Sequence, residues 1–156
     1  MIEIEIPGFR KMTLEHLVCD YNGTLARDGI ILPEVIPLIR RLSKMMKIHI
    51  VTADTFGIAR KCLSGLPVRL SILPQVNQEI GKQAFIEKLG VMTTVCVGNG
   101  RNDNLMLKEA ALGICLIQAE GANITTFLSA DIVCTSAKDA LELLLNPKRL
   151  IATLRK

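Results

Sequence analysis

Leu14-Glu15-His16-Leu17-Val18-Cys19-Asp20-Tyr21-Asn22-Gly23-Thr24-Leu25 is the stretch that decides the fold. An apolar run ends on a single carboxylate, and a glycine turn follows at once. A buried strand that delivers one carboxylate to its C-terminal tip, then turns sharply, is how an open α/β sheet presents a nucleophile. Asp20 is therefore the first candidate for chemistry. Asn22 stands two residues on, where a second carboxylate would be useful.

The pattern on either side supports a sheet of this kind. Upstream, Ile2, Ile4 and Ile6 alternate with Glu3 and Glu5, a half-buried strand stopped by Pro7-Gly8. Downstream, Arg27-Asp28-Gly29 predicts the tip of a small hairpin between Leu25 and Ile31-Leu32. Pro33 opens a helix that runs through Lys44, and Ile48 to Val51 is a strand ending at Thr52-Ala53-Asp54. Ile58, Ala59 and Cys62 mark a second helix, closed by Gly65 and Pro67, before a strand over Val68 to Leu73. Ile80 to Leu89 is a helix with Gly90 as its stop. The remainder reads as strand Thr94–Val97, helix Asn102–Ala111, strand Gly113–Ile117, a helix holding Ile124 to Leu128, strand Asp131–Cys134 and helix Ala137–Leu145. Asn146-Pro147 has the form of an N-cap and first residue of one more helix, with an apolar stripe of Leu150, Ile151 and Leu154.

Strands alternating with short helices predict a Rossmann-like α/β fold: a mostly parallel sheet with right-handed crossovers and helices on both faces. At 156 residues, with no repeat or linker, a single domain spanning 1–156 is expected. Chemistry in such a sheet collects at the C-terminal strand tips. Three tips carry polar clusters: Asp20 to Thr24, Thr52 to Thr55, and Gly98 to Asp103.

Composition narrows the function classes. Hydrophobic residues make up 49% and charged residues 22%, too apolar for disorder, yet no stretch approaches a membrane span. The net charge of +4 is local, in pairs such as Arg40-Arg41 and Lys148-Arg149, and only 3% of residues are aromatic. A solvated basic face is expected, not a nucleic-acid groove with stacking rings. The five cysteines show no zinc spacing and read as buried free thiols in a reducing compartment, so a cytoplasmic protein is expected. His16 and His49 lie within apolar strands and read as packed histidines.

Asp20-Tyr21-Asn22-Gly23-Thr24, the Thr52 hydroxyl, Lys82, and Gly98-Asn99-Gly100-Arg101-Asn102-Asp103 come in an order that resembles the haloacid dehalogenase (HAD) superfamily of phosphotransferases. Within it, the chain looks most like the phosphorylation domain of P-type ATPases and their membrane-free relatives. The resemblance implies that Asp20 attacks phosphorus to form an aspartyl phosphate, that Thr52 donates its hydroxyl to a phosphoryl oxygen, and that Lys82 balances charge between Asp20 and phosphate. It implies Mg²⁺ held by Asp20, the backbone carbonyl of Asn22 and the side chain of Asn99, with Asp103 supporting the shell. Backbone amides around Gly23 and Thr24, together with Asn102, are the candidate phosphate contacts.

Two departures from the family pattern matter. Phosphatases of the superfamily usually carry Asp at position 22 as general acid and base. Asn22 cannot shuttle a proton, so slow turnover limited by dephosphorylation is expected. Asn99 replaces a usual Asp ligand and removes one negative charge, which implies weaker metal binding. Both are Asn-Gly pairs, chemically prone to deamidation, which would return Asp at either site. The alternative to a slow phosphohydrolase is a non-catalytic phosphate-binding or regulatory protein that kept the fold.

The stretches between Thr24, Thr52 and Lys82 are consumed by the elements named above, so no cap domain is expected. The open site then suits a small phosphoester, ATP or a bulky phosphosubstrate, or else a neighbouring subunit closes it. The tail stripe Leu150, Ile151, Leu154 either packs on its own sheet or supports a homo-oligomer.

Overall fold

The computed structural model describes residues 1–54 and 57–156. Thr55, the last residue of the second polar cluster, lies outside the described residues.

Ile2–Ile6 (β1) pairs antiparallel with Arg10–Leu14 (β2), in register from Ile2 opposite Leu14 to Ile6 opposite Arg10. The alternation of Ile2, Ile4 and Ile6 is realised as buried and exposed positions in turn. The sequence reading missed β2 and gave Leu14 to the next strand. Met12 and Leu14, alternating with Lys11 and Thr13, make only a weak period-two signal, and Glu15 marks the true start of a new ladder.

The main sheet holds His16–Cys19 (β3), Lys47–Thr52 (β6), Arg69–Ile72 (β7), Thr94–Gly98 (β8), Leu112–Leu116 (β9) and Ile132–Cys134 (β10). Its order is β10-β9-β8-β3-β6-β7 and every pair is parallel. Between β3 and β6 the chain makes a small antiparallel hairpin, Ala26–Arg27 (β4) and Ile30–Ile31 (β5). Asp28 and Gly29 at its tip both have positive φ, 51° and 82°, the Asp-Gly turn that suits a two-residue hairpin.

The helices are Val35–Leu42 (α1), Ile58–Cys62 (α2), Gln78–Leu89 (α3), Asn104–Glu109 (α4), Ile124–Ser129 (α5), Ala137–Leu145 (α6) and Pro147–Leu154 (α7). A side chain's sheet face follows from strand alternation. Leu17 and Cys19 of β3 join one apolar cluster with Val35, Leu38 and Ile39 of α1 and Leu141 and Leu144 of α6. Val18, between them, points to the other cluster with Ile86 of α3 and Met106 and Leu107 of α4. The sheet is thus covered by helices on both faces, as the alternation of elements predicts.

Two details differ from expectation. Asn146 does not cap α7 through its side chain; its amide donates back to the Glu142 carbonyl at 2.8 Å. The helix expected from Asn102 begins as a tight 3₁₀ turn over Arg101–Asp103, and regular helix starts only at Asn104. The tail stripe packs within the chain: Leu150 is fully buried in the core, with Ile151 and Leu154 against it, and α7 lies on β1. No helix among the described residues is long and apolar enough to cross a membrane.

Candidate active site

The topology decides where the site lies. β3 is central, the chain proceeds outward to β6 and β7, then returns to β8 on the other flank. A crevice opens beyond the strand tips at such a reversal. It is a cleft of about 570 Å³ whose lining includes Asp20, Asn22, Thr52, Gln78, Asn99 and Asn102.

At its floor is a buried ion cluster. Lys82 Nζ donates to Asp20 Oδ1 at 2.7 Å and to Asp103 Oδ1 at 2.6 Å. The lysine and Asp103 side chains are 1% and 0% exposed, and that of Asp20 is 13% exposed, so Asp20 alone of the three meets the cleft. Lys82 reaches this position because it shares the inward face of α3 with Ile86, one turn on. Lys88, the other lysine of the helix, is exposed.

Asp103 is held by its own loop. Its Oδ2 accepts from the backbone N–H groups of Asn99 and Gly100, both at 2.9 Å. Gly98 makes room for this folding-back, since a Cβ there would stand 2.5 Å from Asp103 Cγ. Both oxygens of Asp103 are therefore engaged within the protein.

Charge balance sets the protonation tendencies. Burial, then the Asp103 charge, raise the Asp20 carboxyl to about 7 despite the opposing pull of Lys82. Burial pulls the Lys82 ammonium down, but the two carboxylates outweigh it and hold its pKa above the ordinary value. One ammonium between two carboxylates leaves a net negative centre, which a cation in the cleft would relieve.

The other expected residues fall into place unevenly. Thr52 is buried on the cleft wall, and its Oγ accepts from Asp54 N–H at 3.4 Å, which leaves its hydroxyl proton available to a ligand. The start of α2 is served by Asp54, not Thr52: the Asp54 carboxylate accepts from Ala59 and Arg60 N–H. Asn102 borders the cleft and donates to Gln78 Oε1 at 2.6 Å. The Asn22 side chain turns toward the hairpin, where Oδ1 accepts from Gly29 N–H at 3.0 Å. With Tyr21 OH donating to Gly29 O at 2.9 Å, the loop ties the hairpin tip to the end of β3.

The expected phosphate contacts from the Gly23 and Thr24 amides need correction. Gly23 N–H donates to Ala26 O at 2.9 Å and Thr24 N–H to Tyr21 O at 3.2 Å, so both are spent inside the loop. A tight turn satisfies its own donors, which a one-dimensional reading does not reveal. The same bonds bear on deamidation, in which the following glycine N–H attacks the asparagine amide. Gly23 N–H and Gly100 N–H are both engaged, which holds the attacking nitrogens away from Asn22 and Asn99.

Sequence reasoning missed Gln78, Gln118 and Glu120. Gln118 Nε2 donates to the carbonyls of Gly23 and Thr24 at 3.0 and 2.9 Å, and Glu120 lines the cleft. The signal was present: Gln118 to Gly121 follows the strand Gly113–Ile117, so it is another C-terminal tip. His16 and His49 are packed as expected, 3.1 Å apart between ring nitrogens.

Among the described residues, no three His, Cys, Asp or Glu side chains converge as a metal-binding group. Asp20, Asn22 and Asn99 instead line one cleft, and offer carboxylate, amide and backbone oxygens. These are hard oxygens of the kind Mg²⁺ accepts alongside several waters. Asn99 Oδ1 accepts from Thr24 Oγ at 3.3 Å and its Nδ2 donates to Gly121 O at 3.1 Å, which fixes the orientation of the amide.

No protein-family model matches the chain. The fold matches solved structures well. A Legionella pneumophila protein assigned to subfamily IIIA of the HAD hydrolases superposes with TM-score 0.72 at 15% identity, covering 90% of this chain and 87% of that one. The 3-deoxy-D-manno-octulosonate 8-phosphate phosphatase of Moraxella catarrhalis, in complex with magnesium, phosphate and its KDO molecule, gives 0.71 at 17%, covering 91% and 94%. The cobalt-bound form of the Haemophilus influenzae deoxy-D-mannose-octulosonate 8-phosphate phosphatase gives 0.72 at 12%, covering 92% and 94%. The fold is therefore that of HAD hydrolases. In sequence, the chain is 57% identical over 83 residues to the uncharacterized protein MJ0073 of Methanocaldococcus jannaschii, a match covering 51% of this chain and 89% of that protein. The chain belongs to the family of that archaeal protein.

Proposed function

We propose that this chain is a Mg²⁺-dependent phosphohydrolase of the HAD type, working through a phosphoryl group carried on Asp20. The observation that carries this reading is the Asp20–Lys82–Asp103 cluster at the floor of a strand-tip cleft. It supplies one carboxylate with an exposed edge, backed by a fixed positive charge. The matched phosphatases, one holding magnesium and phosphate, support the same chemistry on this fold.

In the first step an Asp20 oxygen forms a bond to phosphorus and the bond from phosphorus to the leaving oxygen breaks. Lys82 and the Thr52 hydroxyl offset the charge on the nucleophile and the phosphoryl oxygens. The leaving oxygen takes its proton from solvent, since Asn22 has none to give. In the second step a water oxygen forms a bond to phosphorus, the bond from phosphorus to the Asp20 oxygen breaks, the water's proton passes to solvent, and inorganic phosphate departs. Asp20, the Asn22 carbonyl and Asn99 Oδ1 would hold Mg²⁺, with Asp103 behind a water; the cation neutralises phosphoryl charge when bound. Lacking a carboxylate at position 22, the second step is slow, a trait that fits the resemblance to P-type phosphorylation domains.

The substrate class is a phosphomonoester, and the whole chain acts as one catalytic core domain. Five free thiols suit a cytoplasmic setting. The test is acid quenching after mixing with p-nitrophenyl phosphate and Mg²⁺, followed by peptide mass analysis. One added phosphoryl group on the Asp20 peptide is expected, and its absence from Asp20→Asn protein. No adduct under conditions of measurable hydrolysis would contradict the covalent route.

A further inference from the structure

Position 99 has lost a charge, and the structure places another beside it. After β9 the chain makes a tight turn closed by Gly121 N–H on Gln118 O at 2.9 Å, and Glu120 sits within it. The turn is stapled to the site from two sides. Gln118 Nε2 donates to the Gly23 and Thr24 carbonyls, and Asn99 Nδ2 donates to Gly121 O. Asn123 N–H adds a bond to the Asn99 carbonyl at 2.9 Å.

The result is visible at Gly23, whose φ is +75°. A Cβ there would stand 2.5 Å from Glu120 Oε2, 2.6 Å from Asn99 Nδ2 and 2.7 Å from Asn99 Oδ1. Carboxylate and amide thus flank one small space that only glycine leaves open. An aspartate at 99 would set a carboxylate oxygen against Gly121 O and lose the donor that holds the turn. The amide at 99 and the carboxylate at 120 therefore form one device.

We infer that Glu120 supplies, through water, the negative charge that Asn99 lacks, and so tunes cation affinity in the cleft. This rests on the Mg²⁺ reading above. Loss of a unit charge beside a divalent cation in a wet, salt-screened cleft changes affinity about fivefold.

The test is calorimetric titration of the full chain with MgCl₂, with folding checked by circular dichroism. Glu120→Gln is expected to raise the Mg²⁺ Kd about fivefold. Glu3→Gln, a charge loss on the distant β1, should leave it unchanged. Glu120→Asp, which keeps the charge, should stay within about twofold of wild type. A wild-type Kd in Glu120→Gln, or a Glu120→Asp variant no tighter than Glu120→Gln, overturns the inference while the metal reading stands. No saturable binding by the wild-type chain overturns both.

Discussion

At the residue scale, two side chains carry most of the chemistry argued above. Lys82 is buried between two carboxylates, so removing its charge leaves both unpaired in a site that water barely reaches. Lys82→Met should lose about 3–5 kcal/mol of stability in metal-free protein, the usual cost of breaking a buried ion pair from one side. Urea denaturation checks this, and a loss under 1 kcal/mol would mean the cluster is better solvated than its exposure implies. Asn22 makes the opposite case. Its Oδ1 only accepts, from Gly29 N–H, and an aspartate keeps that role while adding an acid and base. Asn22→Asp should therefore fold normally and raise steady-state hydrolysis about a hundredfold, the low end of general acid–base help at roughly 10²–10⁴-fold. Unchanged turnover in the folded variant would move the bottleneck away from proton transfer. The carboxylate, hydroxyl, lysine and loop acid were legible because each stands at a strand tip or helix position fixed by apolar periodicity. Glu120 also follows a readable strand tip, but its place beside Asn99 depends on bonds across some twenty residues that no local pattern records.

At the scale of elements, the opposite end of the sheet offers a pH test. His16 of β3 and His49 of β6 meet at 3.1 Å under the edge of Phe85. Burial, then Lys47, lower the His16 pKa; burial, then His16 and Arg69, lower that of His49 to about 4. A histidine with a depressed folded pKa favours the folded state above its unfolded value near 6.5 and loses that contribution as pH falls toward 4. Melting temperature should thus fall more steeply from pH 6.5 to 4 in the wild type than in His49→Gln. Parallel curves would show that the pair does not couple to folding. The six strands of the main sheet were readable as apolar runs between turn signals, since fully buried parallel strands leave that imprint. β2 was not, because Arg10 and Lys11 leave only Met12 and Leu14 as apolar positions in it. The Asn146 cap failed for a related reason: an amide can serve the helix before it or after it, and here it donates to the helix before.

At the scale of the whole molecule, a parallel sheet with a central first strand places Asp20 where the strand order reverses. The elements from both flanks, α3 from one side and the Asn99–Asp103 loop from the other, then bring Lys82 and Asp103 to it. Asp20 is separated in sequence from Lys82 by 62 positions and meets it at 2.7 Å. Fold and site are thus one consequence of the same topology, and the slow turnover proposed above rests on what stands at position 22. Rapid mixing of the protein with p-nitrophenyl phosphate and Mg²⁺, with Asp20→Asn as the blank, separates the two steps in time. A burst of nitrophenol near one equivalent per chain, followed by slow release, is the expected result, because the phosphoryl group loads Asp20 faster than water removes it. Linear release from the start, equal in the wild type and in Asp20→Asn, would contradict a covalent route through Asp20.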